Sequence, residues 1–568
     1  MSDCIRGEQT TREETIGSFL LPRLHEIGLH HVFGVAGDFN LEFLDQLEET
    51  DGLDWIGCCN ELNASYAADG YARTSGVAAL VTTYGVGELS ALCGVAGSYA
   101  EHVAVIHIAG APPLGKIEEH AIMHHTMGDG QYGNMLAAAQ PFSVAQARIE
   151  PSNAVTEIDR CLRACLLQKR PVYLQLPSDI AYVTITAPVA PLTVTIGSDM
   201  AMLRDFSHAA AMKIQAAATV AILVDADVDR FGQTAKVLEL AQRLGASAAV
   251  MGTAKAVVDE TSPNYLGVYA GAHSQAKVRK VIENADCLLL FGVRFADSTS
   301  GSFSQNVIPD RTITIDAWRS TVYPENFEGI AMQDVIGALL RSVDPRKTLN
   351  TDAKHVEMSP TLSVNDSGVS QKWFWQRIQV FLRAGDVVAA ENGTSLSGIT
   401  GTPMPTGVTV LSQALWGSIG YSLPACFGSM MAAPDRRHLL FIGDGSFQLT
   451  AQELSSILRH RLKPIIFLIN NDGYTIERLI LGERASYNDI QLWNYSHLCS
   501  VFAGDTPFES CRVISTRDLE QALNRAADSD HCFFIEVIMP RMDAPEALRT
   551  LGPVYAQQDY GKSWERLR

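Results

Sequence analysis

Phe441-Ile-Gly-Asp-Gly-Ser-Phe447, followed after a helix-length gap by Pro464-Ile-Ile-Phe-Leu-Ile-Asn-Asn-Asp-Gly-Tyr474, decides how this chain is read. Each half is a short apolar run ending in a polar turn, the signature of a buried parallel strand. An acidic residue at one strand end, Asp444, and an amide at the next, Asn471, can share one hard cation. Mg2+ takes oxygen ligands in a near-octahedral shell and usually shares them with a phosphate. Gly443 and Gly445 let a diphosphate approach the backbone. A lone Gly-Asp-Gly would mean only a strand-to-helix turn. With the asparagine pair after Pro464–Ile469, the spacing predicts a metal-anchored diphosphate.

Working outward, apolar runs alternate with helical patterns along most of the 568 residues, which predicts βαβ units and parallel sheets. That length exceeds one core and calls for about three domains. The first block contains strands over His31–Val35, Asp54–Cys58, Ala78–Thr83, Val103–Ile108 and Val172–Leu176. A Pro/Thr/Val stretch, Thr184–Ile196, reads as a linker. The second contains strands over Thr219–Val224, Ala285–Val293 and Thr312–Asp316, with a helix over Gln233–Leu244. A polar stretch, Thr348–Ser370, reads as a second linker. The third contains strands over Asp386–Ala390, His438–Ile442, Pro464–Leu468 and His531–Val537, and a polar tail follows. The expected domains span residues 14–190, 205–345 and 371–545, with 546–568 as the tail. Phe33-Gly-Val-Ala-Gly-Asp-Phe39 echoes Phe441–Phe447, so the first and third domains are expected to be similar.

Composition removes several function classes. A net charge of −19 argues against nucleic acid and anionic membrane surfaces as partners. The polar start of the chain has no signal-like apolar core, and the apolar runs are too short to span a bilayer. Eleven cysteines include Cys58-Cys59 and Cys161…Cys165 but no CxxC pair, so reduced, mostly buried thiols are expected. Together these predict a soluble cytoplasmic protein.

Gly443-Asp-Gly-Ser-Phe-Gln-Leu-Thr450 with Leu468-Ile-Asn-Asn-Asp-Gly-Tyr-Thr-Ile-Glu477 resembles the thiamine diphosphate fingerprint, in the form found among 2-oxo acid decarboxylases. The resemblance continues in residues 35–40, 58–73, 82–91, 124–130 and 413–425, in the family's order. It implies an α/β fold of three doubly wound parallel-sheet domains, thiamine diphosphate and Mg2+ as cofactors, and a homodimer as the minimal active unit, assembled into a homotetramer. It also implies site residues. Asp444, Asn471 and Gly473 would hold the metal. Thr83, Gly417, Gly443, Gly445, Ser446 and Tyr474 would line the cofactor, and Ile419 would wedge between its rings. Glu61, otherwise a carboxylate favoured at a helix N-terminus, would hydrogen-bond the pyrimidine ring from a neighbouring subunit.

Four further groups match the decarboxylase set. His124-His125 lie in a glycine-bounded segment and can offer acid–base groups; adjacent histidines on a strand would point to opposite faces, which argues against a shared metal. Asp38 would otherwise be a turn aspartate, and Glu477 a first-turn helix carboxylate. Glu477 is expected to act around the substrate carboxylate, with Asp38 and the histidines serving protonation and release. The implied activity is non-oxidative loss of CO2 from a 2-oxo acid, giving an aldehyde. Ser298 and Leu396, where pyruvate-restricted relatives carry larger groups, point to longer aliphatic or aromatic substrates. The alternatives are a fermentative pyruvate decarboxylase and an acetolactate synthase-like enzyme. A nicotinamide dehydrogenase is disfavoured, because no GxGxxG follows the first strand. The middle block carries no evident site, and Cys287 reads as core.

Overall fold

Short β-branched and aromatic runs bounded by glycine, aspartate or asparagine form the buried strands, and amphipathic helices return the chain between them. The structure, a computed structural model, describes residues 10–195, 197–346 and 362–563. These fall into two compact units: residues up to Thr195 together with Pro424–Pro434, and the remainder.

The first unit holds a six-stranded parallel sheet. Its spatial order is Asp54–Gly57, His31–Gly34, Ala78–Thr82, Val105–Ala111, Val172–Pro177, Ala145–Arg148. Numbered along the chain, that is 2-1-3-4-6-5. The order reverses between the first and third strands, and crevices at such points lie at the strands' carboxyl ends. Val35–Asp38 and the Thr83–Gly85 turn leave the sheet there. Helix Glu61–Ser75 starts at Asn60, whose side chain accepts the Asn63 N–H at 2.8 Å, and stops at left-handed Gly76. It crosses Pro424–Pro434 on small residues: a Cβ on Gly70 would stand 2.0 Å from the Ala425 carbonyl oxygen, and one on Gly428 1.8 Å from that of Ala67.

The second unit carries two sheets. The central one runs Tyr265–Tyr269, Ser247–Met251, Val220–Val224, Cys287–Phe291, Thr312–Ile315, all parallel, then adds the antiparallel strands Arg319–Val322 and Glu325–Glu328. Its parallel part, 3-2-1-4-5, has the order of dinucleotide-binding sheets. The other sheet runs Thr409–Leu411, Val387–Ala390, His438–Gly443, Ile465–Asn470, Cys532–Ile538, Phe508–Val513, again 2-1-3-4-6-5 and fully parallel. Its core stacks Phe441 on Phe467, with ring centres 4.8 Å apart and planes 5° from parallel. Buried Glu260 pairs with Lys255 at 2.8 Å and also accepts the Met404 N–H at 3.0 Å, tying the loops of these two sheets together.

Several expectations change. The linker proposed from Thr184 begins as strand Thr184–Pro188, paired antiparallel with Thr11–Thr15, because its β-branched residues alternate buried and exposed. Residue 196 lies outside the described residues, as does most of the second linker, 348–361; its end leads into helix Gln371–Phe381, capped by Ser370. The helix before the central sheet begins at Met200, capped by Asp199, ahead of the boundary at residue 205. The tail contains a helix, Glu546–Tyr560, with Gly552 against Leu479. The echo between residues 33–39 and 441–447 joins unlike positions, a first strand and a third. By strand order the counterpart of the Asp444 turn is Thr83-Tyr84-Gly85. Six of the ten described cysteines are buried, with Cys287 in its strand as expected. No described helix is long and apolar enough to cross a membrane.

The Gly70 and Gly428 crossing generates a stability prediction. Gly428→Ala forces a backbone shift and should cost about 1–3 kcal/mol, the usual range for overpacking. Gly401→Ala, where a Cβ meets nothing within 4 Å, serves as the neutral control. Thermal midpoints of the two variants measure the difference; equal midpoints would contradict the close crossing.

Candidate active site

In the second unit the site grows from two adjacent strand ends. Gly443 pairs in register with Ile469, so Asp444 and Asn471 leave the same sheet edge. Asp444 is 1% exposed and opens helix Asp444–Thr450. Its Oδ1 accepts the Gly445 N–H at 2.9 Å and its Oδ2 accepts the Gly473 N–H at 3.1 Å. Burial raises its pKa to about 6, against the pull of those N–H groups.

Asn471 faces the same point. Amide orientation is assigned from neighbours. With its nitrogen inward, the side chain donates to the Gly473 carbonyl at 3.1 Å and to Asp444 Oδ1 at 3.2 Å, and its oxygen accepts from the Thr475 hydroxyl at 2.9 Å. With its oxygen inward, three acceptors meet with no donor among them. Only a cation stabilises that second arrangement, and an all-oxygen set of carboxylate, amide and carbonyl suits Mg2+. The donor set therefore fits the expected metal.

The loop between these ligands is pinned. Gly473 has φ 106°. Buried Arg478 donates to the Asp472 carbonyl at 2.7 Å and the Asn488 carbonyl at 2.9 Å, and Asp472 pairs with Arg541. Ser446 is buried, and Gly445 lies against the Tyr474 ring, where a Cβ on it would fall 2.6 Å from Cε1. The Thr450 hydroxyl donates to the Gly420 carbonyl at 2.7 Å, tying half-buried Ile419 to the helix that Asp444 opens. Gly417 is exposed with φ 71°.

Glu477 keeps an exposed surface on helix Thr475–Ile480, yet burial and then the Asp559 carboxylate push its pKa up. Asp559 belongs to the tail helix, whose Gln558 donates to Asp297 at 3.5 Å. Ser298 is exposed on Asp297–Ser300. Leu396 packs against the core of the C-terminal sheet, so its side chain does more than border a pocket.

In the first unit, Asp38, His124 and His125 come together, with ligand atoms within 4.8 Å of one another. His124 Nε2 lies 2.5 Å from Asp38 Oδ2, and its ring stacks on Phe39 with centres 4.7 Å apart. The opposite-face expectation for the histidines fails, because the segment is a loop. His125 adopts φ 61°, and the two rings stand 4.7 Å apart edge to face. His125 Nδ1 is buried with no hydrogen-bond partner among the described residues. Glu61 is the first residue of its helix, as expected at a helix N-terminus, and is half-buried. Thr83 Oγ1 is also buried with no partner among the described residues, which fits a bound group that supplies one. Sequence reading missed Phe39 and Thr475, which orient His124 and Asn471; both are contacts that spacing does not encode.

In the central sheet the point of order reversal is filled. Asp225 accepts the Ala226 N–H at 2.7 Å, the Arg294 N–H at 3.1 Å and the Thr253 hydroxyl. Gly292 packs on Asp227, a Cβ there falling 2.6 Å from that side chain. Two buried carboxylates where a dinucleotide phosphate would lie oppose such a ligand.

Comparison with known proteins gives concordant results. Residues 14–131 match the N-terminal binding domain of thiamine pyrophosphate enzymes, 207–342 their central domain and 397–537 their C-terminal binding domain. An alpha-keto-acid decarboxylase of Mycobacterium tuberculosis is 42% identical over 542 residues, covering 94% of this chain and 96% of the relative. One from Mycobacterium ulcerans is 41% identical, over 94% and 95%. The thiamine diphosphate-dependent 4-hydroxybenzoylformate decarboxylase of Rhodococcus jostii shares the fold, with TM-score 0.74 and 20% identity over 93% of this chain and 99% of that one.

The pinned loop makes Gly473 a direct test. A Cβ there meets the Asn488 carbonyl oxygen at 2.4 Å in a backbone conformation that L-residues avoid. Gly473→Ala should weaken Mg2+ and thiamine diphosphate binding by about tenfold or more, given about 1–3 kcal/mol for such strain. Calorimetric titration checks this; unchanged affinity would detach Gly473 from the metal.

Proposed function

We propose a substrate range and a division of labour among side chains for this chain, which belongs to the thiamine diphosphate-dependent 2-oxo acid decarboxylase family and removes CO2 from 2-oxo acids. The observation that carries the residue assignment is the convergence of the Asp444 carboxylate, the Asn471 amide and the Gly473 carbonyl on one point at the sheet edge. Mg2+ would be held there and would bind the diphosphate, with Gly443 leaving the backbone open to it and Gly445 and Ser446 lining it. Tyr474, Gly417, Ile419 and Thr83 would line the remaining length of the cofactor.

Bound thiamine diphosphate supplies the electron sink for the pair released with CO2. The chain's own groups do the rest. Glu61 holds a hydrogen bond to the pyrimidine ring. Glu477 meets the substrate carboxylate. His124, kept in place by Asp38 and Phe39, and His125 move protons as the aldehyde forms and leaves; such groups typically contribute 10²–10⁴-fold. Asp444 and Glu61 lie on different units, and we assign the complete site to two copies of the chain, in a tetramer of two dimers. The domains are taken as residues 14–190, 205–345 and 371–545 with tail 546–568, and the location as cytoplasmic. Small, exposed Ser298 supports a substrate range that extends from pyruvate to longer aliphatic or aromatic acids, although Leu396 is partly committed to the core.

Four outcomes follow. Chelation and gel filtration should abolish aldehyde formation, and Mg2+ with thiamine diphosphate should restore it. Across pyruvate, 2-oxo-isovalerate, 2-oxo-hexanoate, phenylpyruvate and indolepyruvate, kcat/KM should then favour at least one longer acid or stay comparable. A lead for pyruvate of more than about a hundredfold, several methylenes' worth at about 0.8 kcal/mol each, would sink the open range. Mixed protomers of inactive Glu61→Gln and inactive Asp444→Ala should recover activity, whereas hybrids that form and stay silent would refute the shared site. Finally, Asp559 raises the Glu477 pKa, so Asp559→Asn should lower it and move the pH limb that reports Glu477 toward acid. An unmoved pH profile would mean that Glu477 does not control that limb.

A further inference from the structure

The turn that follows the third strand of the N-terminal sheet carries a buried carboxyl that the assignments above leave without a role. Glu88 is 4% exposed, at the third position of helix Val86–Ala100. Its Oε1 accepts the Gly85 N–H at 2.7 Å, closing the helix end. Its Oε2 accepts the Tyr173 hydroxyl at 2.6 Å from a strand on the far side of the sheet order. Burial raises its pKa to about 7 despite both bonds. Closing the helix end needs only the first of these bonds; the second ties that end to another strand of the sheet, which capping alone does not require.

What Glu88 holds lies between two groups of the reaction. Gly85 has φ 59°, and a Cβ on it would fall 1.9 Å from the His125 carbonyl oxygen. A Cβ on Gly87 would stand 3.1 Å from Glu61 Oε1 and 3.1 Å from Thr83 Cγ2. One three-residue turn thus rests against the His125 backbone on one side and the Glu61 carboxylate on the other. The anchor continues inward. Tyr173 accepts from Gln175 Nε2 at 3.5 Å, Arg148 donates to Gln175 Oε1 at 2.6 Å, and Arg148 also donates to the Tyr132 carbonyl at 2.6 Å. Tyr132 packs in the cluster containing Phe39, the ring stacked on His124. The network leaves the site beside His125 and returns to it beneath His124.

We propose that Glu88 is a positioning residue, holding the Gly85–Gly87 turn so that Glu61 and His125 keep their reach. The proposal rests on the roles given above to those two residues.

The test compares holoenzyme carrying Glu88→Gln, Glu88→Ala or Tyr173→Phe with wild type, using Glu61→Gln and His125→Ala as references. The readouts are kcat, KM, thiamine diphosphate affinity, thermal midpoint, and amide hydrogen exchange in peptides covering residues 83–88 and 123–128. Glu88→Ala should lower kcat about 10²-fold, the loss a 1 Å misplacement can bring, with KM and cofactor affinity little changed and faster exchange in both peptides. Glutamine keeps an acceptor for Gly85 and should restore most of the turnover and protection, while Tyr173→Phe should fall between. The alanine variant enlarges a small cavity lined by His107, Met135 and Tyr173. If it does not fold, the ranking wild type, Gln, Phe in kcat, with exchange in the 123–128 peptide following, supports the proposal. Wild-type kcat in Glu88→Ala or Tyr173→Phe overturns it, as does a loss that tracks thermal midpoint with no change in exchange around His125. Wild-type turnover in Glu61→Gln and His125→Ala would overturn the underlying roles, and this proposal with them.

Discussion

A buried carboxylate needs donors or a counter-charge, and Asp444 sits where two parallel strands supply mainly oxygens. Two backbone N–H groups reach it, but the Gly473 carbonyl and the Asn471 side chain face the same point. The amide can turn its nitrogen inward when no ion is bound; a hard cation would reverse it. Much of the C-terminal sheet serves this balance. Parallel register sets the two strand ends side by side, left-handed Gly473 bends the loop back, and Arg478 with the Asp472–Arg541 pair pins the loop on either side.

The N-terminal sheet uses the same strand order for a different purpose. Where the C-terminal sheet gathers oxygens, this one gathers titratable groups: Asp38 after its first strand, Glu61 after its second, and the histidine loop over Gly85. The shared topology gives each sheet loops at the carboxyl ends of its strands, where open α/β sheets bind ligands. The central sheet has the strand order of dinucleotide-binding folds, but Asp225 and Asp227 occupy the crevice. Strand order offers a place for a ligand, and side chains decide whether it is used.

What could be read from sequence was what is local. Asp444, Asn471 and their glycines sit within a few residues of strand ends, so their spacing carried their geometry. Most parallel strands were legible as apolar runs, although their ends shifted by up to three residues, as where Val103–Ile108 became Val105–Ala111. Thr184–Pro188 was hidden because an edge strand pairing with Thr11–Thr15 needs a partner 173 residues away. The histidine pair was misjudged because a strand was imagined where a left-handed His125 makes a loop. The echo around Asp38 and Asp444 compared turns that look alike but follow different strands. Glu88 was unreadable for the same reason as the edge strand, since its second partner, Tyr173, lies 85 residues on.

The claim that a hard cation joins the Asp444, Asn471 and Gly473 oxygens to a diphosphate is most directly tested by electron–nuclear double resonance on holoenzyme with Mn2+ in place of Mg2+. The account predicts phosphorus coupling from the bound diphosphate, lost together with tight Mn2+ binding in Asp444→Asn. Tight Mn2+ binding without phosphorus coupling, or coupling that survives the substitution unchanged, would contradict it.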